Sequence, residues 1–225
     1  LQNVVLHVFR DGSKLSLSGE TDFSDGAANV LGTDITDIHG HTSFTNAEAL
    51  VFVDAEAAGQ KANAHGKMRL DTGRAYLDLT VAASSCDPSK ILKNIPAQGA
   101  LSFEAAVKGP LTDPEVDGSA KMEQGTIEGI PVQNVAAKVR YQDQHVFVQD
   151  VRASVLGGRL AGEAAVSAAD MSYTAHIKAD GIDLAQAAVY EPSLAVVTGR
   201  VSADVGITGK GTERSSLQVY GNASL

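Results

Sequence analysis

The chain has 225 residues, is 44% hydrophobic but only 5% aromatic with no Trp, and carries a formal net charge of −9. That length allows one large β domain or two ordinary ones, and the shortage of bulky anchors excludes a thick aromatic core. The acidic balance, with Lys and Arg scattered and no basic run, makes nucleic acid and anionic membrane surfaces poor partners.

Residues 1–20 open with VVLHVF (Val4 to Phe9), a strand-like run, and the chain stops in another at Ala223-Ser224-Leu225. This is expected of a piece of a longer protein whose membrane anchor or export signal lies outside it. No apolar run approaches the ~20 residues of a membrane span, and no signal-peptide pattern follows Leu1. From there alternation dominates. Leu101, Phe103, Ala105 and Val107 alternate with Ser102, Glu104 and Ala106. Val135, Ala137, Val139 and Tyr141 alternate with Ala136, Lys138 and Arg140. In GRLAGEAAVS (158–167) the apolar positions are Leu160, Gly162, Ala164 and Val166. Val201, Ala203, Val205 and Ile207 alternate with Ser202, Asp204 and Gly206, and Leu217 to Ala223 do the same. One apolar and one polar face, strand after strand, predicts an antiparallel sheet wet on one side. The 22 glycines suit many short strands of about seven to nine residues joined by tight turns. Helix is scarce. Asp87 before Pro88-Ser-Lys-Ile-Leu-Lys93 and Asp183 before Leu184-Ala-Gln-Ala-Ala-Val-Tyr190 are placed to cap short helices.

The chain also repeats itself. ITDIHGHTSF (35–44) matches VQNVAAKVRY (132–141), AHGKMRL (64–70) matches LAGEAAV (160–166), and LDLTVAASSCD (77–87) matches YTAHIKADGID (173–183). GALSFEAAVKG (99–109) matches GRVSADVGITG (199–209), and the offset stays between 96 and 100. The reading is the end of a preceding repeat over 1–20, a first β repeat over 21–119 and a second over 120–225, with one short helix per repeat.

The inner face is small: Leu, Gly, Ala and Val in 158–167 leave space that a crystal-dense core would fill. Two answers stay open from the residues alone. One is a dry β-sandwich or structural repeat whose Ala and Gly pack closely. The other is an open surface that an apolar ligand covers.

Gly109-Pro-Leu-Thr-Asp-Pro-Glu-Val-Asp-Gly118 has the form G-x-x-x-D-P-x-x-x-G between two strands. Gly125-Thr-Ile-Glu-Gly follows, then the strand VQNVAAKVRY, the turn QDQ, the strand HVFVQDVRAS and Leu156-Gly-Gly-Arg-Leu-Ala-Gly-Glu. In this order the chain resembles the TamB family, from the translocation and assembly module, and the wider AsmA-like group of periplasmic proteins. The likeness is strongest over residues 97–225. In the first repeat Gly59-Gln-Lys stands where the second has Gly157-Gly158.

The resemblance implies an all-β, elongated, curved, mainly antiparallel sheet forming one continuous open trough (a β-taco) with an apolar groove. It implies a periplasmic segment of an inner-membrane-anchored protein in diderm bacteria. Such a protein conducts phospholipid between the inner and outer membranes. The partners are phospholipid acyl chains and, through other parts of the full protein, an outer-membrane barrel of the TamA or BamA type. Assistance in outer-membrane protein assembly and an adhesive β-repeat are the alternatives. A chain of about 16 carbons crossing water bare costs on the order of 12 kcal/mol, and a continuous apolar surface removes most of it.

The inward positions expected to line the groove are Leu77, Leu79, Val81, Leu101, Phe103, Val107, Val135, Val139, Tyr141, Leu160, Val166, Ile177, Val201, Val205 and Ile207. Phe103 and Tyr173 are expected either to touch acyl chains or to pack on the neighbouring strand. His39 and His41 alternate with Ile38, Gly40 and Phe44, which places them on the wet face rather than in a metal site. Cys86 is the only cysteine, so there is no disulfide or zinc framework, and its match to Ile182 reads as a small buried hydrophobe. Asp71, Asp113, Asp117 and Asp143 read as turn residues. No nucleophile–base pair or G-x-S-x-G elbow is visible, so no catalytic activity and no cofactor are expected.

Overall fold

The computed structural model describes residues 3–30, 33–57, 59–71, 74–91, 96–211 and 216–225. The alternating segments form fourteen strands. They are β1 (Asn3–Asp11), β2 (Lys14–Val30), β3 (Thr33–Thr45), β4 (Glu48–Ala57), β5 (Gln60–Asp71), β6 (Arg74–Cys86) and β7 (Ala97–Pro110). There follow β8 (Glu115–Ile127), β9 (Ile130–Gln142), β10 (His145–Val155), β11 (Gly158–Ser167), β12 (Ser172–Asp183), β13 (Arg200–Lys210) and β14 (Gln218–Ser224). They make one all-β antiparallel sheet in which spatial order is chain order. Among the described residues the helices are α1 (Pro88–Ile91), α2 (Leu184–Ala187) and a 3-10 turn over Pro192–Val196 that alternation gives no hint of.

Both short helices start where a capping Asp was expected. Asp183 Oδ1 accepts from the Ala185 amide at 2.9 Å, and Asp87 Oδ1 accepts from the Ser89 amide at 2.9 Å. Each bond satisfies one donor of the open first turn. α2 is shorter than the sequence suggests. After Ala187 the chain turns away through Ala188 and Val189, and Leu92 and Lys93 lie outside the described residues.

Most strands outrun the expected seven to nine residues (about 25 Å at 3.3 Å each). β2 has 17 residues, β7 has 14, and β3, β6, β8 and β9 have 13. In β3 and β9 the reason is a bulge. An extra residue in left-handed conformation breaks the alternation in sequence while the strand continues. Asp37 (φ 50) does this in β3 and Asn134 (φ 52) in β9, where Asp and Asn tolerate that region best. The same bulge thus recurs at the repeat offset, as do the matching bounds of β3 and β9.

By packing, the chain forms two compact units: residues 1–86 with 103–116, and residues 87–102 with 117–225. Closed core is small in each. In the first, Ala49, Ala83 and Cys86 are buried. Burial pushes the Cys86 thiol pKa up, which fits an inert packing role. In the second, Met122, Val132 and Val155 form a cluster, with Leu101, Ile127, Ile130, Val135, Leu156, Leu160 and Ile182 packed against it.

Candidate functional site

Directly opposed residues of antiparallel strands share a face. In the second unit one row across β9 to β14 reads Val139, Val148, Ala164, Ala175, Ile207, Val219. Beside it run Gly162, Ile177, Val205, Gly221 and Ala153, Leu160, Ala179, Ala203, Ala223. A further row is Tyr141, Val146, Val166, Tyr173, Gly209. Every member is apolar except for the tyrosine hydroxyls. The first unit does the same. Leu6, Gly19, Phe44, Ala49, Met68 and Leu77 form one row, and Phe23, Gly40, Val53, Ala64 and Val81 another. Leu79 lies in the row between them, opposite Gly66 and Val51 by way of β5 and β4.

The opposite face carries the ion pairs, with Phe52 between His41 and His65 and Phe147 beside Arg140 on the same face. His176 Nε2 lies 2.5 Å from Asp204 Oδ1, and Lys178 Nζ lies 3.6 Å from Asp204 Oδ2. The His176 hydrogen bond lowers the Asp204 pKa most, and the charges of His176 and Lys178 lower it further. Lys138 pairs with Asp150 at 2.7 Å and Arg140 with Asp117 at 2.9 Å. Asp117 therefore sits within β8 as an ion-pair member rather than at a turn. In the first unit His41 Nδ1 lies 2.8 Å from Asp22, which lowers that carboxyl, and its Nε2 lies 3.8 Å from Glu20. His39 opposes Asp54 in register on this same polar face.

Of the positions expected to line a groove, Ile177 is 38% exposed and the others are half-buried; none is in the closed core. Leu77, Leu79 and Val81 share the apolar face of β6. Val139, Tyr141, Leu160, Val166, Ile177, Val205 and Ile207 share the rows just given, with Val201 opposite Ile182 one bulge further on. Leu101, Val135 and Leu160 lean on the Met122 cluster, whereas Phe103 and Val107 lie half-buried in β7 within the first unit. A Cβ on Gly209 would meet the Tyr173 ring, so that side chain lies over the opposing strand and stays half-exposed.

Sequence reasoning missed Met122, Val132 and Val155. Val132 and Val135 face one way although three residues apart, because the Asn134 bulge intervenes. It also passed over Val146, Val148 and Val151 of β10, whose alternation is reset near Asp150 (φ 52). Among the described residues no polar side chain is buried, and no His, Cys, Asp and Glu group is placed to hold a metal ion. What the apolar face offers a ligand is unspecific contact with small aliphatic side chains. Across known proteins, no family model matches this chain, nor does any curated protein or any solved structure.

Proposed function

We propose that this chain is a segment of a periplasmic, TamB-like conduit that carries phospholipid between the inner and outer membranes. One observation supports the reading above the others: rows of small apolar residues extend along the sheet half-open, with no buried polar group to fix a ligand in place. The sheet would curve into an open trough with these rows inside, and one short helix would close each repeat. Lipid chains fill the space that Ala, Gly and Val leave. Because each methylene contributes about 0.8 kcal/mol wherever it lies on such a surface, the ligand slides without a deep local minimum. A single anchor elsewhere in the full protein, and an outer-membrane barrel of the TamA or BamA type, would complete the path. The role is binding and transfer, not catalysis.

The test is lipid extraction from the chain purified out of a diderm periplasm. Phospholipid retained by the native chain and lost in Val205→Asp supports the conduit; a lipid-free native chain of full stability counts against it.

A further inference from the structure

A cavity of about 500 Å³ lies at the turn end of β9, β10 and β11, closed on one side by α2 and the residues after it. That volume is in the range of small-molecule sites. It uses the double glycine of Leu156-Gly-Gly-Arg159. Gly157 (φ 72) turns the chain there, and a Cβ on it would lie 3.0 Å from Gln186 Nε2, so bare backbone keeps the space open.

The walls are of two kinds. Leu156 and Val189, beside Pro131 and Tyr190, supply apolar surface, and Gln133, Ser154 and Gln186 supply polar groups; Val189 is 75% exposed on a turn. Arg159 is the one charged residue of the lining. No carboxylate lines the cavity. Asp180, opposite Arg159 in register, accepts instead from Ser202 Oγ at 3.1 Å. Among the described residues Arg159 makes no ion pair and no side-chain hydrogen bond. An unpaired guanidinium beside an apolar wall matches an amphiphile with a carboxylate or phosphate head, which its planar fork binds in two-pronged fashion.

We infer that this cavity binds a single-chain anionic amphiphile, its head on Arg159 and the start of its chain against Leu156 and Val189. The site lies at a turn end and goes beyond the conduit reading, which needs only the apolar rows.

The purified chain is titrated by calorimetry with dodecanoate and dodecyl phosphate below their micelle concentrations. Dodecyltrimethylammonium and inorganic phosphate serve as comparisons. Both anionic amphiphiles are expected to bind at one site. Arg159→Gln is expected to weaken them about tenfold or more. Arg152→Gln, an exposed arginine outside the lining, is expected to leave affinity unchanged. Equal binding of the cationic amphiphile, or unchanged affinity in a folded Arg159→Gln variant, overturns the proposal. Inorganic phosphate binding as tightly as dodecyl phosphate removes its apolar half. Loss of binding in Val205→Asp but not in Arg159→Gln places the ligand on the apolar rows, so the cavity site fails and the conduit stands.

Discussion

Val132 and Val205 carry the same side chain on the same kind of strand, yet the structure assigns them different fates on truncation. Val132 is 5% exposed within the Met122 and Val155 cluster. Val205 is half-buried in an open row between Ile177 and Gly221. Val→Ala removes two methyl-sized groups, worth about 1.6 kcal/mol at full burial. At Val132 the cavity left behind raises the loss to about 2–3 kcal/mol. At Val205 about half the transfer term applies and no cavity forms, which leaves about 0.8 kcal/mol. For a chain of this size 1 kcal/mol moves the melting temperature by about 2–4 °C. Val132→Ala should therefore melt about 5–10 °C below the parent and Val205→Ala about 2–3 °C below it. Circular dichroism melts of delipidated protein, with urea midpoints as a second scale, read both. Equal shifts would refute the reasoning, because they would mean that the apolar rows are a sealed core.

Charge placement gives a second contrast. Val205→Asp and Val139→Glu should abolish lipid retention, while Asp204→Asn and Lys138→Gln on the opposite face should keep it, as read by lipid mass spectrometry. Gly66 (φ 148) sits where a Cβ would run into the Asp78 carbonyl oxygen, so Gly66→Ala should lower the urea midpoint well beyond Gly129→Ala, whose position (φ 77) is open. Acid sensitivity should depend on Asp170, whose pKa is lowered first by its bond from Ser172 and further by Ser167 and Lys210. A lowered carboxyl stabilises the fold above its unfolded pKa of about 3.9 and loses that contribution as pH falls toward the folded value. The gap in melting temperature between the parent and Asp170→Asn should narrow from about pH 5 towards pH 2; a gap constant across that range would remove Asp170 from the account.

Alternation was enough to place strands such as β11, read from GRLAGEAAVS, and to put Val139, Leu160, Ile177, Val205 and Ile207 on one face. It works because the side-chain period of a strand is two and one face is wet. It fails where a bulge resets the phase. Asn134 and Asp150 hide Val132 and Val151 from a period-two reading, although an Asp or Asn inside an alternating run is the residue type that tolerates the turn. The cap residues Asp87 and Asp183 were legible because capping is local chemistry. The cavity beside Arg159 was not, because it depends on α2 lying next to a turn some thirty residues earlier in the chain. Which rows stay open is likewise a property of what packs on them, and one strand's sequence does not carry it.

The central claim is that an acyl chain lies on the apolar face. A photo-crosslinking residue at Val205, with Asp204 as the outward control, tests it most directly, read by mass spectrometry of the adducts. The account predicts phospholipid adducts at Val205 and none at Asp204. Peptide adducts at Val205, or no adduct there in fully folded protein from a periplasmic extract, would contradict it.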